Sequence, residues 1–339
     1  MIGRKVGLQA KLLRTAAILG VAVWLSTSPA ASAQTRSSAG VTSVGGYATL
    51  AQVRAAIKSA QHMSSPPSHV VPSLSTLAAQ GNWGGDLQDQ SSCPSLGVDD
   101  ATFDVANCTF GDKSSATVVA LVGDSRAQMW LDVFNGLGLS QHFKLVLMAK
   151  SGCPVPLGTY QTNNNGAVST SPWKACTSFH SFVASTLKSL NPAVIVVSSN
   201  YQLDLADPAH VASAKEVKQD MVKFLESLPT SSKTVVLGGF PQPADTANPT
   251  LCLSKGPKKI DSCNFVPSGT VDAQNAAAQS AAKVAGVAFI NQTPWFCAAT
   301  CPPIVASIIP YTIDAYHGDK TYLNYLTGVL WSSVKPFVQ

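Results

Sequence analysis

From Thr117 onward, short β-branched apolar runs alternate with longer segments of helical periodicity, and this alternation narrows the fold more than any other feature. The strand-like runs are residues 117–122, 143–148, 193–198, 233–237 and 287–290. Helical patterns occupy 127–137, 174–190, 210–228, 271–284 and 322–334. Strands that are apolar throughout are buried on both faces, and the amphipathic segments between them supply the cover. The pattern predicts an α/β fold: a three-layer α/β/α, flavodoxin-like sandwich around a mainly parallel five-stranded sheet. No internal repeat is visible.

In such sheets ligands bind beyond the carboxyl ends of the strands, so the residues that follow each strand carry the functional information. After the first run stands Gly123-Asp124-Ser125-Arg126. A serine at a strand-to-helix turn presents its oxygen at the sheet edge, and its backbone N–H at a helix start can stabilise a developing oxyanion. Read alone, the same residues are an ordinary capped turn. After the second run comes Lys150-Ser151-Gly152-Cys153-Pro154, where a glycine lets the backbone approach a ligand. Ser198-Ser199-Asn200-Tyr201 follows the third, and the Asn200 amide is a candidate oxyanion donor. Before the last helical segment stands Asp314-Ala315-Tyr316-His317, in which the acid can fix the histidine tautomer and stabilise the imidazolium. The blander alternatives are a loop glycine, a turn asparagine and a chance Asp–His pair. The histidines at His62, His69, His142, His180 and His210 are read as chance residues of surface loops.

The ends and the composition add the compartment. Arg4, Lys5, Lys11 and Arg14 precede an apolar stretch, residues 15–25, and an Ala31-Ser32-Ala33 site. That order predicts a secretory signal peptide cleaved after Ala33, too short in its apolar core for a membrane span. An uncleaved signal anchor is the alternative. Removing the four signal-peptide bases leaves 19 Lys+Arg against 18 Asp+Glu, so no electrostatic case for nucleic acid remains. The eight cysteines of an exported chain read as a disulfide set, and their clustering favours Cys93–Cys108, Cys153–Cys176, Cys252–Cys263 and Cys297–Cys301 among 105 connectivities. Zinc at Cys297-x3-Cys301 is the competing reading, without the second half-site that such metal centres need. Hydrophobic residues make up 45% and charged ones 12%, enough to build one sizeable core. A helix with Leu50, Val53, Ile57 and Ala60 on one face is expected near the N-terminus, followed by an extended Pro-rich connector over 64–90. The apolar tract 302–310 either lines an acyl pocket or packs as core beneath the site.

Each signal is weak singly, but four occur in order, three of them directly after successive strands. Gly-Asp-Ser, the second-block glycine, the third-block asparagine and a terminal Asp-x-x-His resemble the four blocks of SGNH (GDSL-like) hydrolases. The chain is similar above all to the SGNH domains fused to acyltransferase-3 membrane proteins. The cysteine before the first strand, Lys150-Ser151-Gly152-Cys153-Pro154, the Leu251-Cys252 region and Trp295-Phe296-Cys297 leading to Cys301-Pro302 carry that likeness from about Cys93 to the C-terminus. Two departures stand out: Arg126 replaces a frequent histidine, and the third block is Ser-Ser-Asn rather than Gly-x-Asn-Asp.

The resemblance implies a signal peptide (1–33), an N-terminal extension (34–92) and an SGNH hydrolase domain (93–339). It implies a secreted serine esterase or O-acyltransferase with Ser125, Asp314 and His317 as triad and Ser125, Gly152 and Asn200 as oxyanion hole, using no cofactor or metal. Acylated carbohydrate or glycolipid of the cell envelope is the implied substrate. No membrane acyltransferase segment stands in this sequence, so the donor comes from a partner in trans or the protein only hydrolyses. A non-catalytic glycan-binding module and an accessory subunit of a membrane acyltransferase are the alternatives. The first has no need for Ser, Asp and His together, and the second predicts co-purification with a membrane protein.

Overall fold

The structure, a computed structural model, describes residues 47–80, 93, 96–164, 167–201, 213–244 and 247–339. The expected signal peptide and its cleavage site at Ala33, the start of the extension, and His210 lie outside the described residues. In chain order the elements are α1 (Leu50–Ala60), α2 (Leu74–Gln80), β1 (Thr109–Gly111), β2 (Val118–Gly123), α3 (Ser125–Gln128), α4 (Leu131–Gln141), β3 (Lys144–Ala149), β4 (Gln161–Asn164), β5 (Ala167–Pro172), α5 (Lys174–Leu190) and β6 (Val194–Ser198). Then follow α6 (Ala214–Glu226), β7 (Lys233–Leu237), α7 (Pro249–Ser254), α8 (Gly269–Val284), β8 (Ala288–Ile290), α9 (Lys320–Tyr325) and α10 (Thr327–Val338).

The main sheet runs β1-β3-β2-β6-β7-β8 and is parallel except for β1, which pairs antiparallel with β3 at the edge. The sheet therefore has six strands rather than the expected five. The extra one is only Thr-Phe-Gly, half-buried along its length, too short and too little patterned to register as a strand in sequence. A separate β4–β5 hairpin adds to the expected elements. The connector expected to be extended contains α2. Two expected single helices are each divided, with α3 and α4 parting at Met129–Trp130 and α9 and α10 at Leu326.

The alternation of side chains along each buried strand divides the core into two layers. Val119, Leu121, Leu145, Leu147, Val194, Val196 and Val235 face α1, α4 and α10, meeting Ile57, Phe134 and Leu330. Ala120, Val122, Val146, Met148, Ile195, Val197 and Val236 face α5, α6 and α8, meeting Phe179, Met221 and Ala278. Helix α1 begins with a capping box formed by Thr49 and Gln52, and its buried stripe is Val53, Ile57 and Ala60. Gln61, just after it, donates from Nε2 to the Thr300 carbonyl at 3.1 Å and accepts from the Asn264 amide at 2.8 Å. The N-terminal helix is thus part of the domain core. Ile304, Val305 and Ile309 are buried, so these residues of the 302–310 tract are core.

Candidate active site

The register brings the carboxyl ends of the parallel strands to one level. Gly123 pairs with Ala149 and with Ser198, Ser198 with Leu237, and Leu237 with Ile290. The segments opening with Asp124, Lys150 and Ser199 therefore leave the sheet side by side. Gly123 is required at this row, because a Cβ there would lie 1.8 Å from the Ser198 carbonyl oxygen. Ser125 is the first residue of α3, behind the N-cap Asp124. Gly152 follows β3 in a left-handed turn with φ +71°, over the Trp173 ring.

Asp124 and Ser199 join these loops. Asp124 is buried and accepts from the Arg126 N–H at 2.8 Å, the Ser199 hydroxyl at 2.9 Å and the Asn200 N–H at 2.8 Å. Ser199 Oγ in turn accepts from the Val155 N–H at 3.1 Å, and Ser151 donates to Gln128 Oε1 at 2.7 Å. Burial pushes the Asp124 carboxyl up, while the three donors oppose that rise. In the sequence Asp124 had only the roles of cap and motif member. Nothing local showed that its carboxylate spans two strand ends.

The other half of the site is a tight loop between Ile309 and α9. Thr312 N–H donates to the His317 carbonyl at 3.0 Å, and Asp319 N–H to the Pro310 carbonyl at 2.9 Å. Within this loop Asp314 Oδ1 accepts from Thr312 Oγ1 at 2.6 Å and from the Tyr316 N–H at 2.8 Å. From behind, Asn248 donates to the Ile313 carbonyl at 2.9 Å, so α7 and its cap brace the turn. Asp314 Oδ2 lies 2.8 Å from His317 Nδ1, and His317 Nε2 lies 2.9 Å from Ser125 Oγ, across 192 residues of chain. Ser125, His317 and Asp314 thus form one continuous hydrogen-bonded line.

The electrostatics suit a neutral imidazole. Burial lowers the His317 pKa to about 4; the Asp314 hydrogen bond opposes the shift and the Arg126 charge adds to it. Burial alone would raise Asp314, but its hydrogen bond and charge interaction with His317 and its bond from Thr312 bring it to about 2. An ionised Asp314 then accepts a hydrogen bond from Nδ1–H and leaves the unprotonated Nε2 facing the serine hydroxyl.

All eight cysteines are paired, as Cys93–Cys108, Cys153–Cys176, Cys252–Cys263 and Cys297–Cys301, the state that an oxidising, extracytoplasmic compartment maintains. Cys153–Cys176 ties the Gly152 turn to α5. His180 Nε2 lies near both of its sulfurs but also 2.7 Å from the Pro154 carbonyl, and the disulfide leaves no thiolate there to ligate a metal.

A parallel sheet between two helical layers, with an ordered Ser-Gly-Asn row at its carboxyl edge and an Asp-x-x-His loop above, defines the class of SGNH-type ester hydrolases and O-acyltransferases. The family described as "SGNH domain (fused to AT3 domains)" matches residues 92–318, and the chain belongs to it. No curated protein matches the chain. Among solved structures, it is similar to the periplasmic domain of a lipopolysaccharide acetyltransferase from Salmonella ser. Paratyphi A, with 13% identity, 78% of this chain and 97% of that one covered, and a TM-score of 0.53. Lesser likenesses are to a putative acylhydrolase from Bacteroides fragilis (14% identity, 76% and 98% covered, TM-score 0.42) and a GDSL-like lipase from Bacteroides thetaiotaomicron (12%, 78% and 99%, 0.42).

Proposed function

We propose that the chain is an exported serine acyl-transfer enzyme acting on acyl esters, O-acetyl above all, of cell-envelope glycans or glycolipids. The observation that carries the reading is His317 within hydrogen-bond reach of both Ser125, at 2.9 Å, and Asp314, at 2.8 Å. His317 takes the Ser125 proton as the oxygen attacks the ester carbonyl, and Asp314 stabilises the imidazolium so formed. The oxyanion is received by the backbone N–H groups of Ser125 and Gly152 and by the Asn200 side chain. The C–O bond to the leaving alcohol then breaks, and His317 returns its proton to that alcohol. Water or a sugar hydroxyl attacks the acyl-enzyme in the second half, giving esterase or transferase chemistry.

Supporting the envelope setting are the disulfides, the family's description by fusion to AT3 domains, and a lipopolysaccharide acetyltransferase domain of the same fold. The reading carries with it a signal peptide over 1–33, an extension over 34–92, a catalytic domain over 93–339, and a membrane acyltransferase in trans as donor when the reaction is a transfer. Incubation with para-nitrophenyl acetate tests it. Nitrophenol release by the wild type and none by folded Ser125→Ala is expected, and added glycan acceptors then separate transfer from hydrolysis. Equal release by both would overturn it.

A further inference from the structure

Lys150 is a buried cation at the start of the segment that leaves β3, and the acyl-transfer chemistry gives its side chain no task. The residue is 0% exposed. Its ammonium has three N–H donors and meets three carbonyls, those of Gly97 at 2.5 Å, Asp100 at 2.7 Å and Val98 at 3.4 Å. It also lies 4.8 Å from the centroid of the Trp173 ring. A charge taken out of water is costly unless its donors are met, and here they are.

The three carbonyls belong to one tight turn. The Asp100 N–H donates to the Gly97 carbonyl at 3.2 Å, and Asp100 Oδ2 accepts from the Gly97 N–H at 2.8 Å. Trp173 joins the same turn, its Nε1 donating to the Val98 carbonyl at 2.6 Å. The turn thus fixes both the ammonium and the indole, and the indole is the floor of Gly152, its ring atoms 3.9 Å from where a Cβ would stand. The backbone of Lys150 frames that glycine as well. Its N–H donates to the Gly123 carbonyl at 3.1 Å, and its carbonyl accepts the Cys153 N–H at 3.0 Å, closing the turn that holds Gly152 at φ +71°. Side chain and main chain of one residue therefore bear on the same backbone amide.

We propose that Lys150 is a positioning residue for acyl transfer: its ammonium clamps the 97–100 turn and the Trp173 ring beneath Gly152, and so holds the Gly152 N–H where the oxyanion forms. The inference rests on the reading of Ser125 as nucleophile and Gly152 as oxyanion donor. Lys150 acts through Gly152 and not through His317, which sets what a variant changes and what it leaves alone.

Lys150→Met keeps the length of the side chain and removes the cation. With para-nitrophenyl acetate, and rates referred to the folded fraction measured by circular dichroism, kcat should fall about 10²-fold while KM stays within about twofold. The acid limb of kcat/KM, which reports His317, should not move, and Lys150→Arg should recover part of the loss. Wild-type kcat in folded Lys150→Met, a loss carried by KM alone, or no recovery in folded Lys150→Arg overturns the proposal. Should Lys150→Met not fold, Asp100→Ala decides. It removes, at an exposed position, the Oδ2 bond that closes the turn, and kcat should still fall about threefold or more at unchanged KM. An unchanged kcat there overturns the proposal. A wild type that releases no nitrophenol would overturn the catalytic reading and the positioning role with it, whereas an active wild type matched by Lys150→Met overturns the positioning role alone.

Discussion

Asp124 accepts the backbone N–H of Asn200 at 2.8 Å, so a carboxylate one residue before the candidate nucleophile fixes the loop that follows a different strand. Its other oxygen accepts the Arg126 N–H, and Ser199 shares the first. Asp124→Ala strands all three buried donors. We expect a loss of about 3 kcal/mol, read from a shifted denaturant midpoint. Asp124→Asn keeps the shape but turns an amide donor towards other donors, and should fall between the two proteins.

Asp314→Asn separates orientation from folding. The amide oxygen can keep the bonds from Thr312 and Tyr316, but it no longer offers a carboxylate to His317 Nδ1. The expected result is an unchanged circular dichroism spectrum with kcat reduced by about 10³–10⁴. A wild-type kcat would remove Asp314 from the mechanism.

The pH profile follows from the lowered pKa of His317. The base works only when neutral, and burial, opposed by Asp314 and aided by Arg126, brings the pKa to about 4. Activity is therefore retained as pH falls through the ordinary histidine range and is lost only near the depressed value. The acid limb of kcat/KM, which reports the free enzyme, should lie well below 6.5. An acid limb at or above 6.5 would mean that His317 is not the titrating base.

Helix α1 makes a prediction about stability. Ile57 is 1% exposed in the layer that also holds Leu121 and Phe134. Ile57→Ala should cost about 2–4 kcal/mol in urea unfolding, with one transition for the whole domain. A cost near zero would show that the helix is an appendage.

What was legible in sequence follows from periodicity. Four of the five parallel strands are runs of five or six mostly buried residues, such as Val119–Val122, and they announce themselves, while the short β8 shows through the apolar run Val287–Ile290. Their order and level then put Ser125, Gly152 and Asn200 at one edge. Strand β1 escaped because three half-buried residues ending in a glycine carry no period, and β4–β5 because its Thr/Asn/Ser composition reads as loop. The break before α4 was also invisible. Trp130 closes a short i→i+3 turn on Ala127 and packs edge-on against Trp295, a partner 165 residues away. The contacts of Asp124 with Ser199 and Asn200 are likewise products of tertiary structure, which no local pattern encodes.

The most direct test is to trap the acyl-enzyme. Wild-type protein is mixed with para-nitrophenyl acetate, quenched in acid during turnover, digested and analysed by mass spectrometry. One acetyl group on the peptide containing Ser125, absent after Ser125→Ala or Asp314→Asn under the same brief exposure, is the predicted result. Sustained nitrophenol release with that serine unmodified, and no difference between wild type and Ser125→Ala, would contradict the assignment of Ser125 as nucleophile.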